Sequence, residues 1–178
     1  MTLEAPPAPT TPSLPRLFAA HAGGVAVVTA DAGHGPAGFT ATSVSSLSLD
    51  PPLLVFNVSS TSSNWDAVAS APTAAVHFLD ASQADLARRF STRGADRFAA
   101  PLAWSPLPGG APGLDEAPVV ITGPVEHRFA AGDHHLVVLR IAWAQVRRPH
   151  SPLLHHAGGY HRLGTGAPEG LTAAAVTA

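Results

Sequence analysis

The chain has 178 residues, a formal net charge of −2, and neither lysine nor cysteine. That length fits one domain with its own core, and the missing residue types exclude Schiff-base lysines, thiolate catalysis, disulfides and cysteine-ligated zinc. No basic stripe suggests nucleic acid as a partner. The first fifteen residues lack the regions of a signal peptide, and no apolar run is long enough to span a membrane. We therefore expect a cytoplasmic protein without membrane contact.

Taken in chain order, the termini differ from the segment between them. Residues 1–12 are rich in Pro, Ala and Thr and are predicted to be disordered, and residues 164–178 are predicted to form a flexible tail. The domain is expected to span residues 13–163. Within it, a short helix is predicted over 14–21, and a buried strand over 25–30 that continues through a glycine-rich turn into a hairpin.

The stretch 38–65, GFTATSVSSLSLDPPLLVFNVSSTSSNW, combines many hydroxyls with one apolar run. Its apolar residues change parity, which predicts a β-bulge with exposed amides near Ser45 and Ser46. The run LLVFNV predicts a short, fully buried strand. Ser63 and Asp66 have capping-box spacing before a short helix, whose N-terminus is a candidate phosphate site. The alternative is that Ser and Thr simply tolerate turns and exposed strands at these positions.

The second half of the chain is rich in strands. After a strand over 74–79, a helix is predicted over 80–92, with Ser82 and Asp85 at capping-box spacing. Residues 101–118 contain too many prolines and glycines for any regular element.

The segments 119–129 and 135–146 are predicted to be paired strands, joined by the turn AAGDH. Because strands dominate and helices are few, we expect a mostly β fold, a predominantly antiparallel barrel with short peripheral helices.

Three groups of residues are candidates for chemistry. Histidine is abundant, but neighbouring histidines such as His155 and His156 point to opposite faces of an extended strand, so no metal site is expected. His134 follows a turn, where an imidazole can donate a hydrogen bond or a proton; a turn stabilised by Asp133 is the plainer explanation. The cluster RRFSTRGADRF, residues 88–98, offers arginines that either complement a helix dipole or bind a phosphate.

Four motifs in order resemble the flavin reductase family, the reductase components of two-component flavin monooxygenases. They are the stretch 38–65, the arginine cluster, GDHHLVVLRI, and LLHHAGGYHRL near the C-terminus. The resemblance covers about residues 17–163. It implies an FMN-binding split β-barrel, usually a homodimer, that binds FMN or FAD without covalent attachment and takes hydride from NADH or NADPH. It also implies a separate monooxygenase that receives the reduced flavin.

The resemblance also implies roles for individual residues. The flavin ring would lie along a strand and the residues that follow it, Thr40, Ala41, Thr42, Ser43, Val44, Ser46 and Leu47. The ribityl phosphate would meet a second set, Asn57, Ser59, Thr61, Ser62, Ser63, Arg93 and Phe98. His134 is the implied catalytic residue, and with Tyr160 it would bind the nicotinamide.

The chain departs from the family pattern at three places, one of which is the serine-rich phosphate segment, where no basic residue is near and charge neutralisation would fall to the arginine cluster. His155 and His156 stand where aromatic residues are common, and a second histidine, His135, follows the GDH motif. An electron carrier that keeps its flavin bound is therefore the alternative function, with a haem-binding or oxidase barrel as a third. The sequence leaves open FMN against FAD and NADH against NADPH.

Overall fold

The computed structural model describes residues 13–163 and 174–177. Its helices are short: α1 Leu14–Ala19, α2 Trp65–Ser70 and α3 Ala84–Ser91. The first seven strands are β1 Gly23–Gly24, β2 Ala26–Asp31, β3 Pro36–Ala41, β4 Ser45–Leu49, β5 Pro52–Ser59, β6 Thr73–Phe78 and β7 Trp104–Pro106. The remaining strands are β8 Pro112–Leu114, β9 Val119–Ala131, β10 His134–Arg140, β11 Trp143–Val146, β12 Leu153–His156, β13 Gly159–Arg162 and β14 Ala174–Thr177.

Seven strands form one path in the order β3-β2-β6-β9-β10-β5-β4, and every pair in it is antiparallel. β3 and β5 contact each other although four strands separate them along this path, so the sheet curls around a common core. β12 and β13 form a separate hairpin that pairs with β1. The expected mostly β, antiparallel split-barrel fold is confirmed.

The inner core lies inside the curled sheet and explains the pattern of β5. Leu54, Phe56 and Val58 are buried, and the residues between them are only partly covered. The strand therefore alternates between two faces. The prediction of a fully buried LLVFNV strand is wrong, because only one face of β5 meets the core and the other face carries Asn57.

A second core covers the other face of β2 and β6. Val25 and Val27 pack there with Phe90 of α3, opposite to Val28, which faces the inner core. β2 is thus buried on both faces, as predicted for 25–30.

The prediction that the segment 101–118 contains no regular element is wrong. β7 and β8 form a small hairpin within it, and four of its side chains, Leu107, Ala111, Leu114 and Ala117, are buried in the second core. Apolar burial therefore orders this proline-rich segment despite its composition.

The hairpin of β9 and β10 is confirmed, and it turns at Gly132 and Asp133. Gly132 has φ of 63°, which favours glycine. The strand predicted over 135–146 is divided, because β10 ends at Arg140 and β11 pairs with the first residues of β9.

Neither predicted capping box forms. The residue before α2 is Asn64 and the residue before α3 is Gln83, and neither side chain caps its helix. Asn64 Oδ1 instead accepts a hydrogen bond from the Gly38 amide (3.2 Å), and Ser82 bonds Asp80 (2.8 Å). The two serines that the spacing assigned to capping, Ser63 and Ser82, therefore each precede the actual N-cap residue by one position.

Near the C-terminus, β14 lies within the segment predicted to be a flexible tail and departs from that prediction, because it pairs with β11. Residues 164–173 and 178 of that segment, and the predicted disordered segment 1–12, lie outside the described residues. In the part that is described, no helix is long and apolar enough to cross a membrane.

Candidate functional site

One cavity of about 480 Å³, here called the main cavity, gathers most of the predicted site residues. Its walls come from the end of β3, the end of β5, the turn after β5, the end of α3 and the start of β10. The predicted residues that line it are Thr40, Ala41, Thr42, Ser43, Asn57, Ser59, Thr61, Ser62, Ser63, Arg93 and His134. Residues far apart in sequence therefore meet at one place because the barrel brings these strand ends together.

Five predicted residues do not line the main cavity. Ser46 and Leu47 lie on the edge strand β4, and Val44 lines two neighbouring cavities. Phe98 packs edge-on against Phe90 and Trp104, and it lines a separate cavity that shares Asn64 and Arg97 with the main one.

Tyr160, the fifth of these residues, lies on β13. It contacts His155 (5.6 Å between ring centroids), and Arg88 lies over its ring (5.4 Å).

The β-bulge is present but slightly displaced from its predicted position. Ser46 pairs with Leu54 and Ser48 with Leu53, so the extra residue is Leu47. Ser45 itself pairs regularly with Val55.

The segment 42–44, which joins β3 to β4, lies outside the ladder. Within the described chain, the amides of Thr42, Ser43 and Val44 have no hydrogen-bond partner. The unpaired amide donors at the cavity therefore belong to this connection. The prediction had placed them at the bulge.

The turn after β5 is shaped by its own hydroxyls. Ser59 Oγ accepts from the Thr61 amide (3.3 Å), and Ser62 Oγ accepts from the Asn64 amide (3.2 Å). Ser63 has no hydrogen-bond partner for its hydroxyl in the described residues. Because α2 has only six residues, the hydroxyls of this turn, and not a helix dipole, are the groups it offers to an anion.

The arginines of the cluster are not equivalent. Arg88 pairs with Asp85 (2.6 Å), and Arg89 donates to the carbonyls of Asp96 (3.0 Å) and Ala99.

Arg97 donates to the carbonyls of Phe90 (3.1 Å) and Thr92 (2.8 Å). Arg93 is exposed, lines the main cavity and has no ion-pair or hydrogen-bond partner among the described residues. Within the described residues, it is the arginine of this cluster whose whole guanidinium is unbonded and available to a ligand.

The two adjacent histidines of β10 have different surroundings. His134 lines the main cavity, and its Nδ1 lies 2.7 Å from Asp133 Oδ1. That hydrogen bond and the nearby imidazole lower the pKa of the Asp133 carboxyl below its ordinary value. His135 stacks on Trp65 with 3.5 Å between ring centroids. His134 is therefore the imidazole that faces the cavity.

A second cavity of about 770 Å³, the adjoining cavity, shares Thr42, Ser43 and Asn57 with the main one. Phe18 of α1 and His155 of β12 also line it, and neither lines the main cavity. Two ligands can therefore lie side by side across the shared residues.

The sequence interpretation missed several residues that line the main cavity: Phe39, Val58, Asn64, Phe90, Ser91 and Arg97. Asn64 and Ser91 carried signals, one as a turn residue directly before a helix and the other as a hydroxyl inside the arginine cluster. The apolar members carried none, since core and cavity residues have the same composition.

Comparison with known proteins gives consistent matches. Residues 18–164 match the flavin reductase like domain. An NADH:FMN oxidoreductase of Rhodococcus erythropolis is 40% identical over 146 residues, which is 80% of this chain and 76% of that protein. The reductase subunit of a flavin-dependent monooxygenase of Rhodococcus jostii is 32% identical over 77% of this chain and 70% of its own length.

A solved structure has the same fold. It is an NADH:FAD oxidoreductase of Streptomyces globisporus in complex with NAD and FAD fragments, with a TM-score of 0.81 and 29% identity. The alignment covers 87% of this chain and 93% of that one.

Proposed function

This chain belongs to the flavin reductase family, and on that premise we propose that it is an NAD(P)H:flavin oxidoreductase that supplies reduced flavin to a separate monooxygenase. The observation that carries the proposal is the main cavity, which combines unpaired backbone amides, a hydroxyl-lined turn and one available arginine. Flavin and a nicotinamide nucleotide are its two small-molecule partners.

The residues of the main cavity fit the chemistry of a flavin nucleotide. The free amides of 42–44 can donate to the carbonyl and nitrogen atoms of a flavin ring. Ser63 and the neighbouring turn hydroxyls suit a phosphate, and Arg93 supplies the positive charge that pairs with it. We therefore assign the segment 42–44 to the ring and the turn with Arg93 to the phosphate end.

When bound, the flavin supplies the centre that accepts hydride from the reduced nicotinamide. The chain contributes position, since holding the two rings in contact accounts for most of what this transfer requires. Asn57 and Ser43 lie between the main and adjoining cavities, so they are placed to contact both nucleotides. The adjoining cavity is the proposed nicotinamide side.

His134 is the proposed catalytic residue, and it would reach the nicotinamide from the main cavity, which it lines. Its Nδ1 is held by Asp133, so the ring orientation is fixed and Nε2 remains for a ligand. Tyr160 is proposed to act near the same ligand through His155, which it contacts and which lines the adjoining cavity. We expect His134→Ala to raise the KM for NADH more than it lowers kcat, with His161→Ala, at an exposed residue of β13, as the control.

We also propose that the protein is a homodimer that works in the cytoplasm, where reduced nicotinamide nucleotides are available. The support for association is the apolar surface of α1, whose Leu14, Leu17 and Phe18 are all exposed. Sedimentation of the purified protein tests this part, and a monomer at micromolar concentration would contradict it.

The central test is steady-state oxidation of NADH and NADPH with added FMN, FAD or riboflavin. We expect turnover that depends on flavin concentration, with the flavin behaving as a substrate that leaves. Absence of flavin-dependent turnover with either nicotinamide would rule the proposal out. A yellow protein that keeps its flavin on dilution and oxidises neither nicotinamide would instead support the electron-carrier alternative.

A further inference from the structure

A third cavity, of about 320 Å³, adjoins the phosphate end of the main cavity. Asn64 and Arg97 line both cavities and form the boundary between them. Its volume lies at the lower end of the range of small-molecule sites. The proposed function uses no residue that is confined to this cavity, which we call the side cavity.

The boundary between the two cavities is rigid and polar. Arg97 is fixed because its guanidinium donates to the carbonyls of Phe90 and Thr92 at the end of α3. Asn64 is fixed because its Oδ1 accepts from the Gly38 amide. The side-chain amide of Asn64 and the charge of Arg97 therefore stand at the passage from the phosphate end into the side cavity, where a second phosphate would meet them.

Backbone atoms form one wall of the side cavity, and two side-chain rings lie at its edge. Its wall follows residues 35–38, where Gly35 has φ of 103° and no side chain. The imidazole of exposed His34 and the ring of Phe98 lie at its edge, and Phe98 is held by edge contacts with two other aromatic rings. A wall of backbone with rings at its edge suits a planar base, which binds by stacking.

One carboxylate completes the side cavity. Asp96 Oδ1 accepts from the Ala99 amide (3.0 Å), which fixes the side chain and leaves its second oxygen as an acceptor. An exocyclic amine or ribose hydroxyls can donate to that oxygen, whereas a further phosphate would be repelled by it. These groups together match an adenosine that is joined through a phosphate to the ligand of the main cavity.

We propose that the side cavity binds the adenosine half of FAD, so that this chain prefers FAD to FMN. The inference depends on the proposed function, since it extends the same flavin site. Adenosine phosphate also forms part of NAD(P)H, but the side cavity adjoins the phosphate end of the flavin site, and it shares no residue with the adjoining cavity proposed for the nicotinamide.

The test measures the dissociation constants of FAD and FMN by flavin fluorescence, without nicotinamide. Ala95 lines the side cavity and is partly buried, so Ala95→Phe fills that space. We expect the wild type to bind FAD more tightly than FMN, and the variant to lose on the order of tenfold for FAD and less than about twofold for FMN. Ala142→Phe, at an exposed alanine between β10 and β11, is the matched control and leaves both constants unchanged.

A second variant keeps the test valid if Ala95→Phe does not fold. His34→Ala removes only an exposed ring at the rim, and we expect FAD binding alone to weaken, by roughly threefold. Equal FAD and FMN affinities in the wild type, or an unchanged FAD-to-FMN ratio in both variants, would overturn the proposal. The proposal would also be overturned if Ala95→Phe raised the KM for NADH, measured with FMN, while the FAD-to-FMN affinity ratio stayed constant. If the wild type bound and reduced neither flavin, the proposed function itself would fail.

Discussion

Two sets of polar side chains in this domain are bonded very differently. Thr29, His77 and Thr122 are buried in the sheet, and each is hydrogen-bonded to the backbone. Ser63 and Arg93 line the main cavity and have no hydrogen-bond partner within the described chain. A buried polar group whose bonds are satisfied stabilises the fold, whereas a cavity group that keeps bonding capacity is available to a ligand.

His77 is the central member of the buried set. Its Nδ1 lies 3.1 Å from the carbonyl of Val27, and its Nε2 accepts from the Leu114 amide, also at 3.1 Å. It therefore ties β6 to both β2 and β8. Burial lowers the pKa of its imidazole from 6.5 to about 4, because the charged form would lose its hydration.

The contribution of the buried polar set to stability is tested most strongly at His77. His77→Ala removes a buried ring and leaves the Leu114 amide unpaired, so we expect the free energy of unfolding to fall by about 3 to 4 kcal/mol. Urea denaturation measures this loss. His161→Ala, at an exposed histidine of β13, should change stability by less than about 0.5 kcal/mol. Equal effects of the two substitutions would contradict the structural role of His77.

The same residue predicts a pH dependence. Below pH 6.5 the unfolded chain takes up a proton at His77 that the folded chain refuses, so stability falls as the pH decreases from 6.5 towards about 4. The lowered pKa corresponds to a loss of about 3 kcal/mol over that window. The lowered pKa values of Asp80 and Asp133 act below pH 3.8, outside this window.

Denaturation of the wild type at several pH values between 7 and 4 measures this change, with His77→Gln as the variant that lacks the titrating group. A wild-type slope as shallow as that of the variant would contradict the lowered pKa of His77.

At Arg93 the expected effect is on binding and not on folding. Arg93→Ala removes the available cation of the main cavity, so we expect the dissociation constant of FMN to rise on the order of tenfold. Riboflavin, which has no phosphate, should bind with unchanged affinity. Arg162→Ala, at an exposed arginine of β13, is the control. A parallel loss for riboflavin would place Arg93 at the ring and not at the phosphate.

The smallest effects come from a pair of hydroxyl deletions. Thr122→Val removes the bond from Thr122 Oγ1 to the Ala74 carbonyl (2.9 Å) and should cost about 1 kcal/mol of stability. Ser63→Ala should leave stability unchanged and weaken FMN binding by roughly two- to fivefold. Denaturation and flavin titration of both variants measure the contrast. A stability loss in Ser63→Ala equal to that of Thr122→Val would remove the distinction between the two sets.

Local patterns predicted much of this structure from the sequence. Alternation and turn residues gave the hairpin of β2 with β3 and that of β9 with β10, because these depend on neighbouring residues alone. The proline-rich segment 101–118 was misjudged, since its order comes from side chains such as Leu114 that are buried by distant strands. Both capping boxes failed because each helix begins one residue later than the spacing implied, so Asn64 and Gln83, and not Ser63 and Ser82, occupy the N-cap positions.

The sequence by itself determined the order of the motifs, the antiparallel class and eleven of the residues that meet at the main cavity. It also established that His134 and His135 point to opposite faces of β10, since side chains alternate along a strand. Only the tertiary structure decided which of those faces is the cavity. Pairing of β10 with β5 sets His134 opposite Ser59, while Trp65 of α2 covers His135. Register between strands distant in sequence is a property of the packed sheet, and no local pattern encodes it.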